Sequence, residues 1–228
     1  MIVRFADEPK PNAKALQKVR ALQSYLEERP LAGMIETVPA FHSLTLYYDP
    51  LTVRMHMNDQ ATSSEYVKER LREIVSSLHE RSLPPPRRVD IPVCYGGSFG
   101  PDIAAVAEHN GLHADDVIHI HSSGEYTVFM LGFAPGFPYL GGMDQRLAMP
   151  RKATPRLRIP AGSVAIAGEQ TGIYPLESPG GWNLIGRTPL TLFNQRSDPP
   201  TLLKAGAIVR FHPITESEFS QMEGRECP

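Results

Sequence analysis

Three short segments carry residue types at spacings that catalysis uses. Residues 96–100 read GlyGlySerPheGly, the G-x-S-x-G pattern in which a nucleophilic serine sits on a tight strand-to-helix turn. Residues 181–188, GlyTrpAsnLeuIleGlyArgThr, have the spacing of a phosphate-binding Walker A loop, with Arg187 in the place of its lysine. His119 and His121 offer two imidazoles that would share a metal ion on a strand but not on a helix, where positions two apart face different directions. A further set surrounds turns rich in proline and glycine. Arg151, Arg156, Arg158 and Arg187 are guanidinium groups suited to fork onto a carboxylate or phosphate, Tyr174 and Ser178 add hydroxyl donors, and Trp182 adds an aromatic wall. Such a surface suits a planar, anionic molecule. For each single arginine the alternative is that it braces a loop.

The elements that must position these groups decide between the readings. A nucleophile elbow belongs to a large parallel sheet of repeated βα units, whereas only a small module precedes Ser98 and a β-rich segment follows it. Residues 96–100 therefore read as a glycine turn feeding a helix that Asp102 caps and that ends near Asn110 and Gly111. A P-loop must run into a helix, but Pro189 and the alternating LeuThrLeuPhe of 190–193 point to a strand, so 181–188 reads as a turn between strands. A helix over 114–121 separates His119 from His121, and no carboxylate or cysteine at the usual spacing completes a set, so no metal is expected. His121 is then either functional or a helix-end histidine favoured by the helix dipole.

Upstream, Ile2, Val3 and Phe5 form a short strand. Asn12 precedes a helix with Leu16, Val19, Leu22 and Leu26 on one face, ending near Pro30 and Gly33. Residues 35–39 and 43–48 read as strands, with Leu44, Leu46 and Tyr48 on one face of the second. Thr62 and Glu65 have capping-box spacing before the apolar stripe Val67, Leu71, Ile74, Val75 and Leu78. This β-α-β-β-α order is close to a ferredoxin-like half-sandwich. The proline run within 82–88 breaks the helical pattern and places a domain boundary at 85/86, giving domains 1–85 and 86–228. Beyond it, residues 88–95 read as a strand, and from Tyr126 short apolar runs at 126–131, 163–167, 190–193 and 207–211 alternate with Pro/Gly clusters, as in a barrel or sandwich.

Bulk properties exclude several classes. A net charge of −2 from 23 basic and 25 acidic residues gives no electrostatic footing for nucleic acid or an anionic membrane. Cys94 and Cys227 are too few for a disulfide framework. The N-terminal residues lack the apolar core of a signal peptide, and no run approaches the ~20 apolar residues of a membrane span. A cytoplasmic protein is expected.

The segments GlyPheAlaProGlyPheProTyrLeuGlyGly at 132–142, ProArgLysAlaThrProArgLeuArgIlePro within 150–168 and GluSerProGlyGlyTrpAsnLeuIleGlyArgThrPro at 177–189 form an ordered series. With CysTyrGlyGlySerPheGlyProAsp at 94–102 and HisSerSerGlyGluTyr at 121–126, they resemble the KipI-like family, also called allophanate hydrolase subunit 1 and the 5-oxoprolinase B subunit. The resemblance covers about residues 88–215, and the first domain adds ValProAlaPheHisSerLeu at 38–44. Ser98 stands where the family is more often acidic, and Ala207 where an aspartate is expected.

The resemblance implies an α+β protein with a small ferredoxin-like α/β N-terminal domain and a cyclophilin-like β-barrel C-terminal domain. It implies one component of a larger enzyme, inactive alone, that works with the 5-oxoprolinase A and C subunits and ATP to open 5-oxoproline to L-glutamate. ATP would be shared with or bound by those partners. The alternatives within the family are inhibition of a sporulation-type histidine kinase and, more remotely, urea or allophanate processing. The expected site gathers His121, Arg151, Arg156, Tyr174 and Arg187 as catalytic groups, with Ser178, Trp182 and Arg158 binding substrate.

Overall fold

The computed structural model describes residues 1–7, 12–57, 61–78 and 85–223. It divides into two compact units, Met1–Pro85 and Pro86–Pro228. Residues 82–84 of the proline run, and Cys227, lie outside the described residues.

In the first unit the elements are β1 (Ile2–Arg4), α1 (Ala13–Glu28), β2 (Met34–Pro39), β3 (Ser43–Tyr48), α2 (Pro50–Met55) and α3 (Ser63–Ser77). The helix starts follow local chemistry. The Asn12 side chain accepts the Ala15 N–H, and Thr62 and Glu65 make the reciprocal capping box. Strand β3 lies between β1 and β2 and is antiparallel to both, so β1 and β2 run parallel and α1 is their crossover. Val19, Leu22 and Leu26 of α1 meet Leu44 and Leu46 of β3 and Leu71 and Ile74 of α3 in one core. Helix α2 was not expected from apolar periodicity, being too short to show any. Its start was there to read in Asp49, which accepts the N–H groups of Leu51 and Thr52, and in Pro50 in the first turn.

The second unit contains β4 (Arg88–Tyr95), α4 (Ile103–His109), α5 (Ala114–Ser123), β5 (Glu125–Leu131), β6 (Pro138–Gly141), β7 (Arg156–Ile159), β8 (Ser163–Ala167), β9 (Gln170–Ile173), β10 (Ser178–Gly180), β11 (Asn183–Arg187), β12 (Ile208–Pro213) and α6 (Glu216–Met222). A closed barrel runs β11-β4-β12-β5-β6-β9-β8, while β7 and β10 pair as a separate two-stranded ribbon. The mixed α and β content with a barrel is as the sequence implied. Period-2 alternation sorts side chains to the two faces: Val164 and Ile166 of β8 join the main core, whereas Ala165 and Ala167 join a second cluster with Phe137, Tyr174, Trp182 and Leu184.

Three local expectations are corrected. Residues 183–187 are not a turn but strand β11, hydrogen-bonded to both β4 and β8. Gly186 is there because the strand packs closely: a Cβ would lie 2.6 Å from Cγ1 of Val93 and 2.8 Å from the Cys94 carbonyl oxygen. The LeuThrLeuPhe segment is not a strand and contributes only an isolated bridge from Phe193 to Thr201. Asp102 stands at the N-cap position of α4 but makes no side-chain cap bond, because its carboxylate is engaged elsewhere. Helix α6, also unexpected, is capped by Thr215 with Glu218 and seats Phe219 against Phe99, ring centroids 4.7 Å apart.

Candidate functional site

Ser98 lies exposed in a turn closed by the Gly100 N–H to Gly96 carbonyl bond of 2.7 Å, with α4 of only 7 residues after it. The setting of an elbow is absent there. His119 is exposed while His121 is sealed inside the barrel at 0 % exposure, so the two do not converge. Among the described residues no cluster of His, Cys, Asp and Glu could hold a metal ion.

The His121 ring is satisfied on both sides. Oγ1 of Thr171 donates to the Ala165 carbonyl at 3.1 Å, which leaves it to accept from Nε2–H of His121 at 3.0 Å. Nδ1 of His121 then accepts from the Tyr95 hydroxyl at 2.7 Å. The ring stacks on Phe211 at 4.5 Å, and the Tyr126 hydroxyl donates to the His121 carbonyl at 2.7 Å. Burial pushes its pKa down to about 3, so it is neutral at physiological pH. Both sequence readings of His121 are thereby replaced. A neutral, enclosed imidazole neither reaches a substrate nor gains from the helix dipole, and it serves as a polar pillar of the core.

Of the other expected residues, Arg151, Tyr174 and Trp182 gather outside the barrel, beside the β7–β10 ribbon. Phe137 is at the centre of an edge-to-face cluster, 5.3 Å from Tyr174, 5.5 Å from Trp182, 5.1 Å from Tyr139 and 5.4 Å from Phe133. Phe133 is 65 % exposed and holds φ at +66°, a left-handed conformation that a bulky residue adopts only when its surroundings fix it. The Tyr174 hydroxyl fills the space a Cβ on Gly180 would need, at 2.3 Å. Burial raises the Tyr174 pKa, opposed by the Trp182 N–H and by Arg151. The Arg151 guanidinium lies over Trp182, 5.9 Å from the ring centroid. Oγ of Ser178 is buried without a hydrogen-bond partner.

The four arginines are not equivalent. Arg156 is bidentate to Asp102, at 2.7 and 2.8 Å. Arg158 forks onto Glu177 with its side chain 79 % exposed. Arg187 donates from Nε to the Ala161 carbonyl at 2.8 Å and stacks on Phe219 of α6, away from the aromatic face. Three of them therefore brace structure. Arg151 alone of the set has no carboxylate partner among the described residues, so it is the cation available to a ligand. The structure thus brings together Arg151, Tyr174 and Trp182, with Arg151 exposed over rings that are 2 % and 6 % exposed; it pairs Ser178 with Ile159 on the neighbouring ribbon, ties Arg156 to Asp102 and separates His121 and Arg187.

Sequence reasoning missed Lys152 and misread Asp102. Asp102 is 5 % exposed and accepts from Nζ of Lys152 at 2.9 Å and the Leu184 N–H at 2.8 Å besides Arg156. Desolvation, the largest single influence, raises its pKa, but the bonds from Arg156, Lys152 and Leu184 together outweigh it and hold the carboxyl below its ordinary value. Its presence in the motif at 94–102 was the available signal. Burial was not readable from one residue type.

Neither glycine-rich segment fits ATP. Residues 183–187 are committed to a ladder on both sides, and the turn at 96–100 leads into a helix too short to present a cradle of amides.

The family model for the carboxyltransferase domain, subdomain C and D, matches residues 1–203. The B subunit of 5-oxoprolinase from Bacillus subtilis (strain 168) is 51 % identical over 225 residues, covering 96 % of this chain and 91 % of that protein. The crystal structure of TTHA0988 superposes with a TM-score of 0.80 at 35 % identity, covering 100 % of this chain and 41 % of that longer one. The Kluyveromyces lactis urea amidolyase, at 20 % identity and a TM-score of 0.75, covers 97 % of this chain and 15 % of its own and shares the fold. No described helix is long and apolar enough to cross a membrane. With its two-unit architecture, its motif-built aromatic face and near-complete overlap with the Bacillus protein, the chain belongs to the family of 5-oxoprolinase B subunits.

Proposed function

We propose that this chain is the B subunit of an ATP-dependent 5-oxoprolinase, which with its A and C subunits opens 5-oxoproline to L-glutamate. The observation that carries the reading is the 51 % identity along 91 % of a relative named as the B subunit of 5-oxoprolinase. The chemistry fits a division of labour. An unstrained lactam is a poor electrophile, and phosphorylating its oxygen creates a leaving group, a task that needs a nucleotide site. Neither the β11 segment nor the turn at 96–100 offers such a cradle, and the reading assigns the nucleotide to a site shared with or held by a partner.

What this chain contributes is the face made by Arg151, Tyr174 and Trp182. An exposed guanidinium over an indole suits a carboxylate on a five-membered ring, or the anionic phosphorylated intermediate. Phe133 and Leu157, 65 % and 90 % exposed, leave apolar surface in the same second unit for another component of the enzyme to cover. The purified chain is expected to show no 5-oxoproline-dependent ATP hydrolysis until the A and C subunits are added. Robust turnover by the chain alone overturns the proposal, as does capture of a histidine kinase in place of the C subunit.

A further inference from the structure

We propose that Asp102 is a positioning residue: it holds residues 150–156 against the barrel so that Arg151 lies over Trp182. This rests on the reading that the Arg151–Trp182 face is the working surface. Arg151 has no carboxylate partner among the described residues, so its neighbours must set its place. On one side, the Pro150 carbonyl accepts from Nδ2 of Asn183 at 2.9 Å. On the other, the Lys152 N–H donates to the Gly181 carbonyl at 2.8 Å, next to Trp182.

Asp102 closes this bracket. It takes Nζ of Lys152 and both terminal nitrogens of Arg156, and so grips the loop at both ends of the AlaThrPro stretch that separates them. It is itself fixed to β11, since its N–H donates to the Leu184 carbonyl at 2.9 Å and its carboxylate accepts the Leu184 N–H at 2.8 Å. Leu184 is two residues from Trp182, so the anchor of the loop and the ring under Arg151 share one short stretch of chain. Four donor atoms from three residues on one nearly buried carboxylate fix an orientation that a hydrophobic contact would leave free to slide. The helix-capping role that Asp102 could have filled is unused.

Trp182 is the only tryptophan in the chain, so its fluorescence reports on this place alone. In the full-length chain, Asp102→Asn is expected to raise acrylamide quenching of Trp182 at least about twofold, because local opening exposes the ring. Lys152→Gln, whose side chain is 31 % exposed, is expected to shift it the same way with the fold intact, and Lys152→Arg to restore it. Arg146→Ala, which breaks the exposed pair with Asp144, is the control.

In the complex with the A and C subunits, Asp102→Asn should raise KM for 5-oxoproline about tenfold, the scale of a misplaced binding group, with kcat changed less. Adding it to Arg151→Ala should cost nothing further, because both act through one guanidinium. Quenching unchanged in folded Asp102→Asn and Lys152→Gln overturns the positioning role, as does full additivity with Arg151→Ala. If quenching shifts but Arg151→Ala leaves the complex fully active, the positioning stands and the working-surface reading falls.

Discussion

The interior of the barrel and its ribbon-covered outer face are built from the same strands and treat polar groups in opposite ways. Inside, His121 has both nitrogens bonded, Thr171 and Tyr126 are satisfied, and the rest of the core cluster is Val, Ile, Leu, Ala, Met and Phe. Outside, on β10, β11 and the loops beside them, Ser178 has a buried oxygen with no partner and Arg151 no carboxylate among the described residues, and Phe133 is exposed in a strained conformation. A polar residue with every valence closed is committed to the fold, whereas an exposed cation with no ion partner is free to take a ligand. The contrast separates His121 from Arg151 although both were expected at one site.

The comparison can be broken first at the interior. Ile166→Ala, at 0 % exposure, is expected to cost about 3 kcal/mol in denaturant unfolding through lost burial and a cavity. A smaller but more specific loss should follow Thr171→Val, which keeps the shape and strands Nε2–H of His121 without an acceptor, at about 2 kcal/mol. A cost below a few tenths would show that His121 is not pinned as described.

The pH dependence follows from the same ring. Its folded pKa is lowered from 6.5 to about 3, so between those values the unfolded chain binds a proton that the folded chain refuses. The contribution of His121 to stability is whole above 6.5 and falls as pH drops toward about 3, at most about 1.4 kcal/mol per pH unit. Chemical denaturation across that window should show the slope, and His121→Gln should flatten it. On the outer face the expectation reverses: Arg151→Ala should move stability by no more than about 0.5 kcal/mol, because it removes an exposed group with no carboxylate partner among the described residues.

How much of this was legible follows from how local each cause is. Helices α1 and α3 could be read because Asn12, Thr62 and Glu65 act within three residues of themselves. Strand β11 could not, since Gly186 is explained by the approach of β4, about ninety residues away in the chain. The LeuThrLeuPhe segment has the alternation of a strand, yet its neighbours in space give it only one bridge. The motif segments did mark the outer face, but residue type alone did not show which arginines were already bonded. Asp102 meets Lys152 and Arg156 across 50 and 54 residues, and such a contact leaves no local periodicity.

The central claim is that this chain works through the exposed Arg151 on the outside of the barrel and not through a closed internal site. Its most direct test is 5-oxoproline-dependent ATP hydrolysis by the complex with the A and C subunits, carrying either wild-type chain or Arg151→Ala. The account predicts at least about a tenfold loss of kcat/KM for the variant, equivalent to about 1.4 kcal/mol of lost transition-state binding, with its melting temperature unchanged. Wild-type activity from an assembled Arg151→Ala complex would contradict it.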